Sequence, residues 1–221
     1  LNDVYFINDS VGFAVGDNGV ILSSNDGGDN WVIVSSGTTN NLVDILFYND
    51  TVGYICSKDD GNPNNGGNGI GGTLLKTNDG GNTWNVFYIE NDDVDYNSIG
   101  LILAPNTPYE QIYILGEYIQ SGHTDAMLIE ITASPLPSSS LSTLTNHLYV
   151  NDVYMPYYNT FIAVGFPNVG SSFGSFRRVG GVDMNMTNPY AINFNSIDFI
   201  DGTNKCIMVG NAFHTAGSGG V

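Results

Sequence analysis

The chain has 221 residues, 42% hydrophobic and only 12% charged, enough for a sizeable core without disulfide staples. Asp and Glu number 22 against 5 Lys plus Arg, a formal net charge of −17. With Lys58, Lys76, Lys205, Arg177 and Arg178 as the whole cationic complement, a phosphate-tracking nucleic-acid binder and a basic membrane-surface patch are excluded.

Polarity comes instead from Asn, Ser, Thr and 28 Gly, a composition of many tight turns. Taken from the start, DVYFI predicts a strand and NDS a turn; GFAVG is the next strand and DNG its turn. VILSS follows, then the turn NDGGDN, then the strand WVIVSS. Residues 42–61, LVDILFYNDTVGYICSKDDG, repeat residues 1–20, LNDVYFINDSVGFAVGDNGV. Looser copies begin at YNSIGLIL, VNDVYMPYYNTFIAVG and FNSIDFIDGTNKCIMVG. Val4, Ile45, Ile99, Val153 and Ile197 are the equivalent positions, 41, 54, 54 and 44 residues apart. Four short strands per 40–54 residues, with no helical periodicity, predict an all-β chain: a β-propeller of four-stranded antiparallel blades. The expected blades are 1–41, 42–95, 96–149, 150–193 and a partial 194–221, about 4.5 in a single domain. The expectation is that further sequence, or another chain, completes the ring.

Ser24-Asn25-Asp26-Gly27-Gly28-Asp29-Asn30-Trp31 fits S-x-D-x-G-x-x-W, and Thr77-Asn78-Asp79-Gly80-Gly81-Asn82-Thr83-Trp84 fits it with Thr first. Both fall between the third and fourth strands of their units. Hydroxyl and carboxylate can bond turn backbone, Gly permits positive φ, and Trp covers the hairpin base. These segments resemble the Asp-box (BNR-like) repeat, closest to photosystem II stability/assembly factor-like propellers, in a wider group with sialidases, xyloglucanases and sortilin-type receptors. The resemblance covers residues 1–88 strongly and 89–221 weakly. It implies a propeller of five to seven blades and a structural role for Ser24, Asp26, Gly28, Trp31, Thr77, Asp79, Gly81 and Trp84.

Sialidases of that group clamp a carboxylate with three arginines, and only the adjacent Arg177 and Arg178 exist here. A photosystem-type assembly factor would carry a basic patch, which this composition lacks. A propeller glycosidase using paired carboxylates is the leading enzymatic alternative. Asp3, Asp44 and Asp152 recur at one blade position, with Ser98 and Ser196 in the other units. They are candidates for a channel-end cation or acid–base site, set against a bland reading in which each ties its strand to the next blade. Asp92, Asp93 and Asp95 are weak calcium candidates; no other cofactor is expected. The Gly67-x-Gly69-x-x-Gly72 loop lacks the βαβ setting of a nucleotide site. His123, His147, His214, Cys56 and Cys206 show no ligand or triad spacing. Asn8, Asn49 and Asn185 head Asn-x-Ser/Thr sequons or, equally, turns. Tyr88, Tyr96, Tyr109, Tyr157 and Tyr158, read as loop aromatics, could stack on sugars. The expected role is a non-catalytic structural or binding module, extracellular, cell-surface or virion-borne. Its partner would be a protein or glycan, without nucleic acid or membrane insertion, within a larger assembly or longer chain.

Overall fold

The structure, a computed structural model, describes residues 1–58, 72–89, 94–103, 110–120, 123–132, 138–146, 148–157, 160–167, 175–179, 182–186, 192–199 and 206–212. Among them are eighteen strands, a single 3-10 turn at Asp17–Gly19 and no α-helix. The first sheet holds β1 (Asp3–Phe6), β2 (Gly12–Gly16), β3 (Val20–Ser24) and β4 (Val32–Val34). The second holds β5 (Asn41–Phe47), β6 (Gly53–Lys58), β7 (Thr73–Thr77) and β8 (Asn85–Ile89). The third holds β9 (Val94–Leu103), β10 (Glu110–Gln120), β11 (His123–Thr132) and β12 (Ser138–Asn146). The fourth holds β13 (Leu148–Tyr157), β14 (Thr160–Pro167), β15 (Ser175–Val179) and β16 (Val182–Met186), and the fifth β17 (Ile192–Phe199) and β18 (Cys206–Ala212). Every pairing is antiparallel, and neighbours in sequence are neighbours in the sheet.

The chain forms two compact units, Leu1–Asn146 with the first three sheets and His147–Val221 with the other two. In the first unit the period-2 alternation of the strands lets the second sheet bury both of its faces. Phe13, Val15 and Ile21 on one face of the first sheet pack against Ile45, Phe47, Ile55, Leu75 and Trp84 of the second. Tyr54, Cys56 and Leu74, on the second sheet's opposite face, pack against Tyr96, Ile99, Ile112, Ile114 and Ile129 of the third. Within this unit the second sheet therefore has a front row that receives the first sheet and a back row that covers the third. The rows run straight across the register: Val4 opposite Ala14 opposite Leu22 in the first sheet, Ile45 opposite Ile55 opposite Leu75 in the second. In the second unit β17 packs against β13 and β14.

Two local expectations need correction and one is refined. The predicted strand WVIVSS shortens to Val32–Val34, because Trp31 belongs to the turn and its indole folds back on it. DNG is a turn as expected, of the 3-10 kind, with Asn18 at φ 57° and its N–H donated to Asn41 Oδ1 at 3.1 Å. Tyr88, Tyr96 and Tyr157 lie in strands rather than loops, and Tyr96 is fully buried between the second and third sheets, where no sugar can stack. Tyr109 and Tyr158 lie outside the described residues.

Candidate functional site

The two Asp-box turns close β3 onto β4 and β7 onto β8. In the first, Ser24 Oγ donates to Asp26 Oδ1 at 2.8 Å and accepts the Gly28 N–H at 2.9 Å. Asp26 accepts the Asn30 backbone N–H on Oδ1 at 2.9 Å and the Asn30 side-chain amide on Oδ2 at 2.8 Å. Trp31 Nε1 donates to Gly28 O at 2.8 Å. The second turn repeats the scheme with Thr77, Asp79, Gly81 and Thr83, and Thr83 Oγ1 supplies the bond to Asp79 Oδ2 at 2.6 Å. Each turn is anchored to its own sheet through an equivalent bond, Gly27 N–H to Ser10 O and Gly80 N–H to Thr51 O. Both carboxylates are thus committed to turn donors.

The side-chain amide of Asn30, then its backbone N–H and the Ser24 hydroxyl, hold Asp26 down to about 2. Such a group stabilises the fold above its unfolded value of 3.8, and that contribution is lost as pH falls through about 2. An NMR carboxyl titration of Asp26 is expected to show this low midpoint and to move back toward 3.8 in Asn30→Ala. An unchanged midpoint in the variant would show that Asn30 is not the cause.

Asp3, Asp44 and Asp152 occupy one position in the first strand of their sheets, and each reaches the next sheet. Asp3 Oδ2 accepts the Ile45 N–H at 3.0 Å. Asp44 Oδ2 accepts the Ile99 N–H and the Ser98 hydroxyl, both at 2.8 Å. In the second unit Asp152 accepts its own sheet's Val153 N–H on Oδ1 at 2.7 Å and the Ile197 N–H on Oδ2 at 2.9 Å. The carboxylates therefore act as latches between consecutive sheets. Burial first, then the adjacent Asp3 carboxylate, raises Asp44 to about 8. Cys56, directly across the ladder from Asp44, has its thiol pushed well up by burial foremost.

Asn8 and Asn49 are exposed, and their side-chain oxygens cap equivalent turns: Asn8 Oδ1 accepts the Ser10 and Val11 N–H groups, Asn49 Oδ1 those of Thr51 and Val52. Asn185 lies in β16 opposite Phe176, within a strand rather than a turn. Asp95 lies half-buried in β9, while Asp92 and Asp93 are outside the described residues. Among the described residues no group of three or more His, Cys, Asp or Glu is placed to hold a metal.

Sequence reasoning missed two further ties. Asn2 Nδ2 donates to Leu42 O at 2.8 Å and to Asp17 Oδ1 at 2.9 Å, joining the first two sheets beside the Asp3 latch. Asn40, almost wholly buried, donates to Thr73 Oγ1 at 3.2 Å and Ser57 Oγ at 3.4 Å. Its position just before the second repeat was the available signal, since a buried amide there needs polar partners on β6 and β7.

Four-stranded meander sheets, repeated latches and two Asp-boxes define the class: an all-β propeller of the Asp-box kind. Comparison with one solved structure agrees on the fold. YCF48 from Cyanidioschyzon merolae superposes with a TM-score of 0.53 at 16% identity, over 90% of this chain and 60% of that one. YCF48 bound to D1 peptide gives 0.43 at 14% identity, over 95% and 74% of the two chains. An ancestral GH74 enzyme gives 0.46 at 13%, over 79% and 30%. The chain spans 60% of the length of the first of these structures. No family model matches the sequence, and no curated protein matches it.

Proposed function

We propose that this chain is a non-catalytic propeller module that works outside the cytoplasm or on a particle surface. There it recognises a protein or glycan partner or forms part of a larger assembly such as a virion or appendage. The observation that carries this reading is the engagement of Asp3, Asp44 and Asp152 as acceptors for the next sheet's backbone N–H groups. A carboxylate holding two sheets together is poorly placed to trade protons with a substrate. The net charge of −17 and the Asn-, Ser-, Thr- and Gly-rich composition suit a soluble, hydrogen-bonding surface. A photosystem-type assembly role would call for a basic face, against which stand the 5 cations of the chain.

The feature that a glycoside hydrolase reading would use is Asp44, whose carboxyl is pushed up by burial and by the adjacent Asp3, as a general acid's would be. The geometry weighs against it. Glycosidase carboxyl groups flank a sugar across a cleft, whereas Asp3 and Asp44 are each taken up by a backbone N–H of the next sheet. Assay of the chain on a panel of chromogenic glycosides between pH 4 and 9 is the test. The reading predicts no turnover above background in wild type or in Asp44→Asn. Turnover in wild type that Asp44→Asn abolishes would replace it with the hydrolase.

A further inference from the structure

A groove between the first two sheets lies wholly within the first compact unit. Its volume is about 460 Å³, inside the roughly 300–1,000 Å³ of ligand pockets. One side is apolar and comes from the first sheet: Ile7, Val11, Phe13 and Val34, all packed on the core that the two sheets share. The other side is polar and comes from the second: Asp50, Asp79 and Asn82. The Gly80 N–H donates to Thr51 O at 2.9 Å. That bond clamps the turn carrying Asp50 against the second Asp-box, so both carboxylates stand on one wall.

The two acids are differently engaged. Asp79 accepts from Thr77 and Thr83, and the Thr83 hydroxyl foremost holds it below the ordinary carboxylate range, so it stays charged. Asp50 is exposed, and its carboxylate accepts no hydrogen bond among the described residues. No Lys, Arg or His lines the groove. An anionic wall with one uncommitted carboxylate therefore faces an apolar floor. A group with a long aliphatic stem and a cationic head complements both at once. A neutral sugar would leave the wall without a counter-charge.

We propose that this groove binds a lysine or arginine side chain of a protein partner, the stem lying on Ile7, Val11 and Phe13 and the head meeting Asp50 and Asp79. The inference narrows the functional reading above to a protein partner, and rests on that reading only there. Because the attraction is between charges near the surface, added salt weakens it.

Chemical-shift mapping of the isotope-labelled chain tests this, with capped glycine peptides carrying a central lysine, Nε-acetyl-lysine or glutamate. The lysine peptide is expected to shift the amides of Val34, Asp50, Gly80 and Asn82, and the other two peptides are not. Asp50→Asn should weaken binding about fivefold, the loss of one exposed ion pair. Asn25→Arg, which lodges a cation at the groove, should abolish it. Asp17→Asn removes the same charge at the opposite end of β3 and should bind as wild type. The spectrum of each variant reports that it folds. Three results would each overturn the inference: no localised shift with millimolar lysine peptide, an equal response to the acetylated peptide, or an equal loss in Asp17→Asn. Shifts at these amides with methyl glycosides and none with the lysine peptide would overturn it in favour of a glycan, leaving the non-catalytic reading in place. Turnover in the glycoside assay would instead sink that reading and leave the peptide shifts standing.

Discussion

Replacing Asp44 with Asn is expected to remove most of the loss of stability that the wild type suffers as pH rises from 5 to 9. Burial, and then the Asp3 carboxylate, push Asp44 up to about 8 against an ordinary 3.8, so the folded state is expected to hold its proton more tightly than the unfolded state. Stability from that difference is fully present below 3.8 and is lost as pH climbs through about 8. Each unit is worth about 1.4 kcal/mol. Because Asp44 keeps some contact with solvent, the observable loss is roughly 2–3 kcal/mol rather than the full gap. Asn reproduces the protonated group. Its oxygen can accept from Ile99 and Ser98, and its amide can donate to Asp3. Urea denaturation at pH 5, 7 and 9 should show a falling wild-type midpoint and a nearly level variant. Parallel slopes would mean that Asp44 is ionised in the folded chain.

Gly81→Ala is expected to cost about 3 kcal/mol, and Gly28→Ala about 1 kcal/mol, although both fill the same place in the motif. Both glycines have positive φ, 84° and 95°, so each alanine carries left-handed strain. They differ in what lies above. A Cβ on Gly81 would overlap the Phe13 ring of the preceding sheet. A Cβ on Gly28 would meet Phe6 of its own sheet at 3.4 Å, ordinary contact. Denaturation of the two single variants reads the difference directly. A cycle with Phe13→Ala separates the collision from the strain: Gly81→Ala should couple to it and Gly28→Ala should not. Equal costs at the two glycines would mean that Phe13 does not seat over the second Asp-box.

The repeat was legible because Val4, Ile45, Ile99, Val153 and Ile197 sit in strands whose apolar residues recur in step, and two tryptophans marked the same hairpin twice. Strand ends were harder. Tyr96 follows the acidic run ENDDVD, which reads as loop, yet β9 begins at Val94 and runs ten residues, carrying Tyr96 into the seam with Tyr54 and Leu74. The latch aspartates are legible as a recurring residue, and a tie from each to the next blade is one of the two readings the sequence offers, but the atoms they bond are not. Their partners are backbone N–H groups, which every residue at that position offers, so the second half of each contact leaves no mark in the sequence. The raised titration of Asp44 was hidden for the same reason. Nothing in the sequence brings Asp3, 41 residues away, into hydrogen-bonding reach.

The central claim is that Asp3, Asp44 and Asp152 each fasten the first strand of the next sheet. Amide hydrogen exchange in Asp3→Ala tests it most directly. Loss of a carboxylate acceptor worth roughly 1.5 kcal/mol predicts about a tenfold drop in protection at Ile45. Ile99, held by Asp44, should exchange as before. Unchanged protection at Ile45, or an equal drop at both amides, would contradict the account.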